Sequence, residues 1–172
     1  MCGINGIWNF TGQNVENDQI ENMNDMLIHR GPDEGNQILL NNIGLGHRRL
    51  SIIDVENGKQ PMANDDNTIF ITYNGEVYNY QKLQAILKER GYIFHTNSDT
   101  EVILKCYEEY GLKFINKLRG QFAIGIWDDR KKQLILARDR LGQKPLYYYN
   151  DQSVLAFSSE INSLISGLNN QF

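Results

Sequence analysis

The chain has 172 residues, with 17 Lys and Arg against 21 Asp and Glu and a formal charge of −4; at 41% hydrophobic, 22% charged and 10% aromatic it has the composition of one globular domain with its own core. That composition excludes disorder as the main state, and a mild negative charge without like-charge runs argues against a nucleic-acid or membrane-surface binder and for a small ligand. No apolar run approaches the length of a membrane span, and Met1-Cys2-Gly3-Ile4-Asn5-Gly6 carries neither the basic nor the apolar region of an export signal, so a cytoplasmic protein is expected.

In chain order, residues 3–10 read as a short strand that starts almost at the first residue. Residues 15–28 read as a helix, apolar at Ile20, Met23, Met26 and Leu27, and Arg30-Gly31-Pro32-Asp33-Glu34-Gly35 stops it. Strands are predicted over 37–40 and 43–54, and a turn-rich segment through Gly58, Pro61, Asn64 and Asp65 leads to a further strand over 68–73. Asn74-Gly75 is expected to end that strand abruptly. Helices follow over 80–90, closed by Gly91, and over 101–110, closed by Gly111; Asn97-Ser98-Asp99-Thr100 supplies cap candidates for the second, which places Asp99 near its N-terminus. From Gly120 the pattern changes to strands over 121–127, 133–138, 145–149 and 154–158, read as an antiparallel meander, before a last helix over 159–168. Strands in blocks and helices in other blocks predict an α+β domain with helices packed on mainly antiparallel sheets.

Cys2 is the strongest candidate for chemistry. Once Met1 is removed, a thiol and a free α-amine belong to one residue, and an amine titrating at about 7.7–8.0 suits a general base near neutral pH. Attack of the activated thiol on an amide would then proceed through a thioester. Position alone also fits a small residue entering a strand. Cys106 falls on the apolar face of a helix and reads as a core thiol, and neither cysteine nor His29, His47 or His95 has metal-ligand spacing, so neither a disulfide nor a metal is expected. The basic cluster Arg138, Arg140 and Lys144 lacks a glycine-rich loop before a helix and reads as a solvated or salt-bridged turn.

Six segments carry a resemblance to one family: Met1-Cys2-Gly3-Ile4; Arg30-Gly31-Pro32-Asp33; Gly46-His47-Arg48-Arg49-Leu50-Ser51-Ile52-Ile53-Asp54 with Gln60-Pro61-Met62; Tyr73-Asn74-Gly75-Glu76-Val77-Tyr78-Asn79; Ser98-Asp99-Thr100-Glu101; and Ala137-Arg138-Asp139-Arg140-Leu141-Gly142 through Lys144-Pro145-Leu146-Tyr147. Together they resemble the glutaminase domain of class II, N-terminal-nucleophile glutamine amidotransferases, and within them the asparagine synthetase branch; His47-Arg48-Arg49-Leu50 departs from the His-Thr-Arg type of the sugar and phosphoribosyl branches. The resemblance implies an N-terminal-nucleophile hydrolase fold of layered antiparallel sheets flanked by helices (αββα). It implies that Cys2 is the nucleophile, its freed amine the base, and the Asn74 side chain and Gly75 N–H the oxyanion donors. It also implies an L-glutamine site in which Arg49 grips the α-carboxylate, Asp99 and Glu76 receive the α-ammonium, and Leu50, Ser51, Ile52 and Ile53 line the pocket. Read without the family, Asn74-Gly75 is a hairpin turn, Asp99 a helix cap and Arg49 a surface charge.

The resemblance further implies a glutaminase domain over residues 1–172, truncated at its C-terminal end, whose ammonia serves ATP-dependent asparagine synthesis from aspartate. The partner is a synthetase domain or subunit absent from this chain. ATP and magnesium belong to that partner, and no cofactor or metal is expected here; nucleic acid and membrane are not expected as partners. The alternatives are a glutaminase that serves another acceptor, and a non-catalytic binding module that retains Met1.

Overall fold

The computed structural model describes residues 1–50 and 58–168. Its strands are β1 (Gly3–Asn9), β2 (Glu34–Leu40), β3 (Ile43–Arg49), β4 (Met62–Ala63), β5 (Ile69–Val77), β6 (Gly120–Asp128), β7 (Gln133–Arg138), β8 (Tyr147–Asn150) and β9 (Val154–Ser158). Its helices are α1 (Asn17–Asp25), α2 (Tyr80–Glu89), α3 (Asp99–Tyr110) and α4 (Ile161–Gly167), with a 3-10 turn at Gly111–Lys117. Two sheets form, in the orders β2-β3-β1-β9-β8 and β4-β5-β6-β7, and every neighbouring pair is antiparallel.

Strand alternation stacks the layers. In β5, Ile69, Ile71, Tyr73 and Val77 join Leu83, Leu87, Val102, Ile103 and Tyr107 in a core between the second sheet and α2–α3. In the first sheet, Ile7, Val154 and Ala156 pack with Ile20, Met23 and Leu164 of α1 and α4. Ile4, Ile43, Leu45, Phe70, Ala123, Trp127 and Phe157 fill the space between the sheets. The result is helix, sheet, sheet, helix, the α+β stack expected from the sequence. The sheets approach closely around Phe157: a Cβ added at Gly125 would come within 2.7 Å of that ring, and one at Gly6 within 2.5 Å.

Two expectations are overturned. β5 does not end at Asn74-Gly75 but runs on to Val77, with Asn74 opposite Ala123, Gly75 opposite Phe122 and Val77 opposite Gly120. A two-residue turn needs the next segment to fold back as the partner strand; here the partner is β6, more than forty positions later, and its ladder overrides the local turn preference. Nor is the C-terminal half one meander, since β6 and β7 pair in one sheet and β8 and β9 in the other. The Asp139 carboxylate between them collects the N–H groups of Phe122, Leu141, Gln143 and Lys144 and turns the chain away from β7.

Several boundaries also shift. α1 is shorter than the predicted 15–28, β3 stops at Arg49, and β8 begins at Tyr147 rather than at Pro145, which has no N–H for a ladder. β4 and the 3-10 turn lie where no element was predicted.

Candidate active site

Cys2 stands immediately before β1, which is held on one side by β3 and on the other by β9. Ile4 faces the inter-sheet core, and the same parity carried back two residues turns Cys2 to that face. Its Sγ lies at the end of β3, where the Leu50 N–H donates to sulfur at 3.5 Å and the thiol donates to the Leu50 carbonyl at 3.7 Å. Arg30 donates Nε to the Cys2 carbonyl oxygen at 3.1 Å while its Nη1 meets Glu160 at 3.0 Å, which fixes the first peptide units.

At the cleft, the end of β5 is paired with β6 on one edge and held by side chains on the other. The Tyr73 N–H donates to Gln60 Oε1 at 2.6 Å and the Val77 N–H to Asp99 Oδ2 at 3.0 Å, so both point away from β6. Alternate residues of a strand turn their N–H groups the same way, so that of Gly75, between them, also faces the cleft. Glycine is required there on steric grounds, because a Cβ would lie 2.2 Å from the Gln121 carbonyl oxygen of β6. Asn74 has the opposite parity, with Phe70 on the inter-sheet face. It is buried, and its Nδ2 has no acceptor among the described residues. A buried, unmet amide donor costs on the order of 1–3 kcal/mol.

Asp99 opens α3, where Ser98 caps the helix by accepting from the Thr100 N–H at 3.1 Å and the Glu101 carboxylate accepts from the N–H groups of His95 and Thr96. The Tyr73 hydroxyl donates to Asp99 Oδ2 at 2.7 Å. Burial pushes the Asp99 carboxyl up and the nearby Glu76 charge adds to it, against the hydrogen bonds from Val77 and Tyr73. Tyr73 is driven well above the usual phenol range by burial and by Asp99, and so remains a donor.

Arg49, 5% exposed, places Nη1 3.5 Å from Glu34 Oε2, and Lys59 lies 3.6 Å from Oε1 of the same carboxylate. Burial would raise Glu34, but a hydrogen bond with Asn36 and the charges of Lys59 and Arg49 outweigh it and hold the group low. Cys2, Arg49, Leu50, Gly75, Glu76 and Asp99 line one cleft of about 160 Å³. That is below the roughly 300–1,000 Å³ of pockets for drug-sized ligands. A cation, two carboxylates and a thiol around so small a space suit a zwitterion with a reactive carbonyl group.

His47 joins the two sheets beneath the cleft, donating Nε2–H to the Tyr73 carbonyl at 3.2 Å. Burial pushes its imidazole down to about 4, and the Arg49 charge adds to this against the hydrogen bond. With the unfolded chain near 6.5 and the folded one near 4, the unfolded state takes up the proton first. The stability from neutral His47 is therefore complete above about pH 6.5 and is lost as pH falls toward about 4, to the extent of about 3 kcal/mol. Denaturant midpoints should fall across that window, and His47→Gln, which keeps a donor to Tyr73, should flatten the dependence; an unchanged slope in that variant excludes His47 as its source.

Of the residues singled out from the sequence, the structure gathers Cys2, Arg49, Leu50, Gly75, Glu76 and Asp99 around the cleft, while Asn74, next to Gly75 in β5, is buried and is not among the lining residues. Ser51, Ile52 and Ile53 lie outside the described residues. Gln60, Tyr73, Ser98 and Thr100 also line the cleft. Gln60 bridges β5 to α3 by donating to Thr100 Oγ1 at 3.2 Å. Gln60 and Tyr73 stand inside the Gln60-Pro61-Met62 and Tyr73-Asn74-Gly75-Glu76 runs, which was the available signal, but their use of backbone and hydroxyl groups is invisible before folding. Cys106 is fully buried, and burial pushes its thiol up to about 12. The basic cluster is not wholly solvated: Lys144 is buried, and Arg138 donates to the carbonyls of Gly142 and Lys144. Among the described residues no group of three or more His, Cys, Asp or Glu is placed to hold a metal ion, and no helix is long and apolar enough to cross a membrane.

A family model described as a glutamine amidotransferase domain matches residues 1–171. Asparagine synthetase (glutamine-hydrolysing) 1 of Bacillus subtilis (strain 168) is 45% identical over 172 residues, covering 98% of this chain and 27% of that protein. Amidase chry2 of Gibberella zeae is 40% identical over 179 residues, covering 96% of this chain and 26% of that protein. The chain thus spans about a quarter of the length of these relatives. Among solved structures, glutamine phosphoribosylpyrophosphate amidotransferase from B. subtilis, complexed with ADP and GMP, superposes with a TM-score of 0.80 over 96% of this chain and 43% of that one, at 22% identity. The αββα stack is the layering that the family resemblance implies, and that structure shares the fold.

Proposed function

The chain belongs to the glutamine amidotransferase domain family, and from that premise we propose that it hydrolyses L-glutamine to glutamate and ammonia through a thioester on Cys2. After Met1 is removed, the α-amine of Cys2 takes the thiol proton and Sγ attacks the side-chain carboxamide carbon. The oxyanion that forms is met by Asn74 Nδ2–H and the Gly75 N–H. Collapse breaks the C–N bond, the protonated amine returns its proton to the leaving nitrogen, and ammonia departs. Water, deprotonated by the same amine, then attacks the thioester and releases glutamate and the thiol. Arg49 holds the α-carboxylate, Asp99 and Glu76 hold the α-ammonium, and Leu50 lines the site.

The observation that carries this reading is the buried Nδ2 of Asn74, without an acceptor among the described residues, beside a Gly75 whose N–H faces the cleft that Cys2 lines. A site built for a developing oxyanion leaves its donors unmet in the resting state. The test is ammonia release by the Met1-free chain from glutamine, with asparagine as control. Asparagine lacks one methylene, which brings its carboxamide short of Sγ, so glutamine should be turned over at least about tenfold faster. Ammonia at the buffer background, or asparagine turned over equally, overturns the reading.

The ammonia would serve asparagine synthesis from aspartate in a synthetase domain or subunit that uses ATP and magnesium, as the name of the Bacillus relative suggests. A relative named an amidase favours a second reading in which the acceptor differs. Aspartate-dependent consumption of ATP by the assembled protein separates the two.

A further inference from the structure

After β7 the chain closes into a tight loop around Asp139. Oδ1 accepts from the Leu141 and Gln143 N–H groups at 3.1 and 3.0 Å, and Oδ2 from those of Phe122 and Lys144 at 3.2 and 3.0 Å. Arg138 grips the same loop, donating Nε to the Lys144 carbonyl and Nη2 to that of Gly142, both at 2.6 Å. Lys144 is therefore fixed through both its N–H and its C=O, and its side chain, only 9% exposed, runs to the N-terminus. There its Nζ lies 3.4 Å from the Met1 sulfur, and no described carboxylate pairs with it. A thioether is a weak acceptor and does not neutralise an ammonium.

We propose that Lys144 is a positioning residue for the reaction, its ammonium holding the freed α-amine of Cys2 in the neutral form that accepts the thiol proton. This rests on the reading that the amine is the base. The Met1 sulfur that Nζ touches belongs to the residue directly before Cys2, so removing Met1 takes away the thioether and leaves the freed amine at the same half-exposed terminus as the Lys144 ammonium, where protonating it adds a second cation. A like charge disfavours that protonation. Without such a neighbour, an amine that titrates at about 7.7–8.0 is mostly ammonium at neutral pH.

The other charges around the terminus do not replace Lys144. From the α1–β2 connection, Arg30 reaches the Cys2 carbonyl, but Glu160 at the start of α4 pairs with it. Arg49 of β3 is opposed by Glu34, and His47 of the same strand is neutral. From β5 and α3, Glu76 and Asp99, with Tyr73 donating to the latter, face the cleft and act in the opposite sense. Lys144 is the buried cation on the terminal side with no described carboxylate against it.

The test compares Met1-free parent, Lys144→Met and Lys144→Arg. The α-amine midpoint is read by NMR on 13C-methylated termini, and the acid limb of kcat/KM is read on unmodified protein. Lys144→Met should raise both midpoints by about one pH unit, and at pH 6.5 its kcat/KM should fall by up to about tenfold, while the alkaline plateau stays within about twofold. Lys144→Arg should restore the parent profile. A packing role alone would lower the plateau and the thermal midpoint without moving the limb. An α-amine midpoint unmoved in Lys144→Met overturns the proposal; if that variant does not fold, a parent midpoint at or above about 8 overturns it. The NMR reading needs no turnover, so an inactive chain would count against the glutaminase reading and not against this one.

Discussion

Cys2→Ala is expected to lower ammonia release from glutamine by at least about 10³-fold while leaving the fold intact. The thiol is half-buried at the mouth of the cleft and its recorded partners are the two backbone groups of Leu50, so its loss should change stability by less than about 1 kcal/mol. Glutamine should still bind, because the charges that hold its backbone are Arg49, Glu76 and Asp99, and calorimetry on the variant measures this directly. Cys2→Ser should be nearly as inactive, since a hydroxyl gives up its proton far less readily than a thiol. A chain in which Met1 cannot be removed should match it, because the Cys2 nitrogen is then an amide without basicity. If Cys2→Ala turned over glutamine within about tenfold of the parent, the nucleophile would lie elsewhere. Cys106 cannot supply it, being fully buried with its thiol pushed up to about 12.

The parts of the fold that follow from local pattern were legible in the sequence. Leu83 and Leu87 at helical spacing gave α2, and the cap candidates Asn97-Ser98-Asp99-Thr100 before an apolar-periodic run placed Asp99 near the start of α3, which begins at Asp99 rather than at the predicted Glu101. What stayed hidden depended on contacts distant in sequence. Asn74-Gly75 reads as a turn from its own chemistry, and only a partner strand beginning at Gly120 makes it the interior of β5. The split between sheets after β7 depends on one carboxylate, Asp139, gathering four N–H groups, which no periodicity announces. The site divides in the same way. Cys2 stood out by its place at the terminus and Arg49 and Asp99 only through the family resemblance, whereas Gln60 acts through a carbonyl oxygen on the Tyr73 N–H and Lys144 through where its backbone is fastened.

The same reversal of β5 changes why Asn74 matters, and it leads to the second large effect. A donor on a turn is rigid because the turn is short; a donor inside a strand is rigid because it and both its neighbours are in the ladder, here Tyr73 opposite Ile124, Asn74 opposite Ala123 and Gly75 opposite Phe122. Asn74→Ala is expected to reduce kcat by about 10²–10³, equivalent to about 3–4 kcal/mol of barrier, with KM changed by no more than about threefold, because the donor meets charge that exists only once the carbonyl carbon has been attacked. The effect on stability should run the other way from an ordinary buried substitution. Removing a buried amide whose Nδ2 has no acceptor among the described residues relieves a cost of about 1–3 kcal/mol, which offsets the small void that alanine leaves. The thermal midpoint should therefore hold or rise while turnover collapses. If Asn74→Ala unfolded in step with its loss of activity, Asn74 would be holding the sheets together; if kcat survived, the oxyanion would be met by other donors. Asn74→Asp sharpens the test, since it keeps the shape but can place a carboxylate where negative charge develops, and it should be at least as inactive as alanine at neutral pH. With Gly75 left in place, whatever turnover remains in these variants measures what its single N–H can stabilise alone.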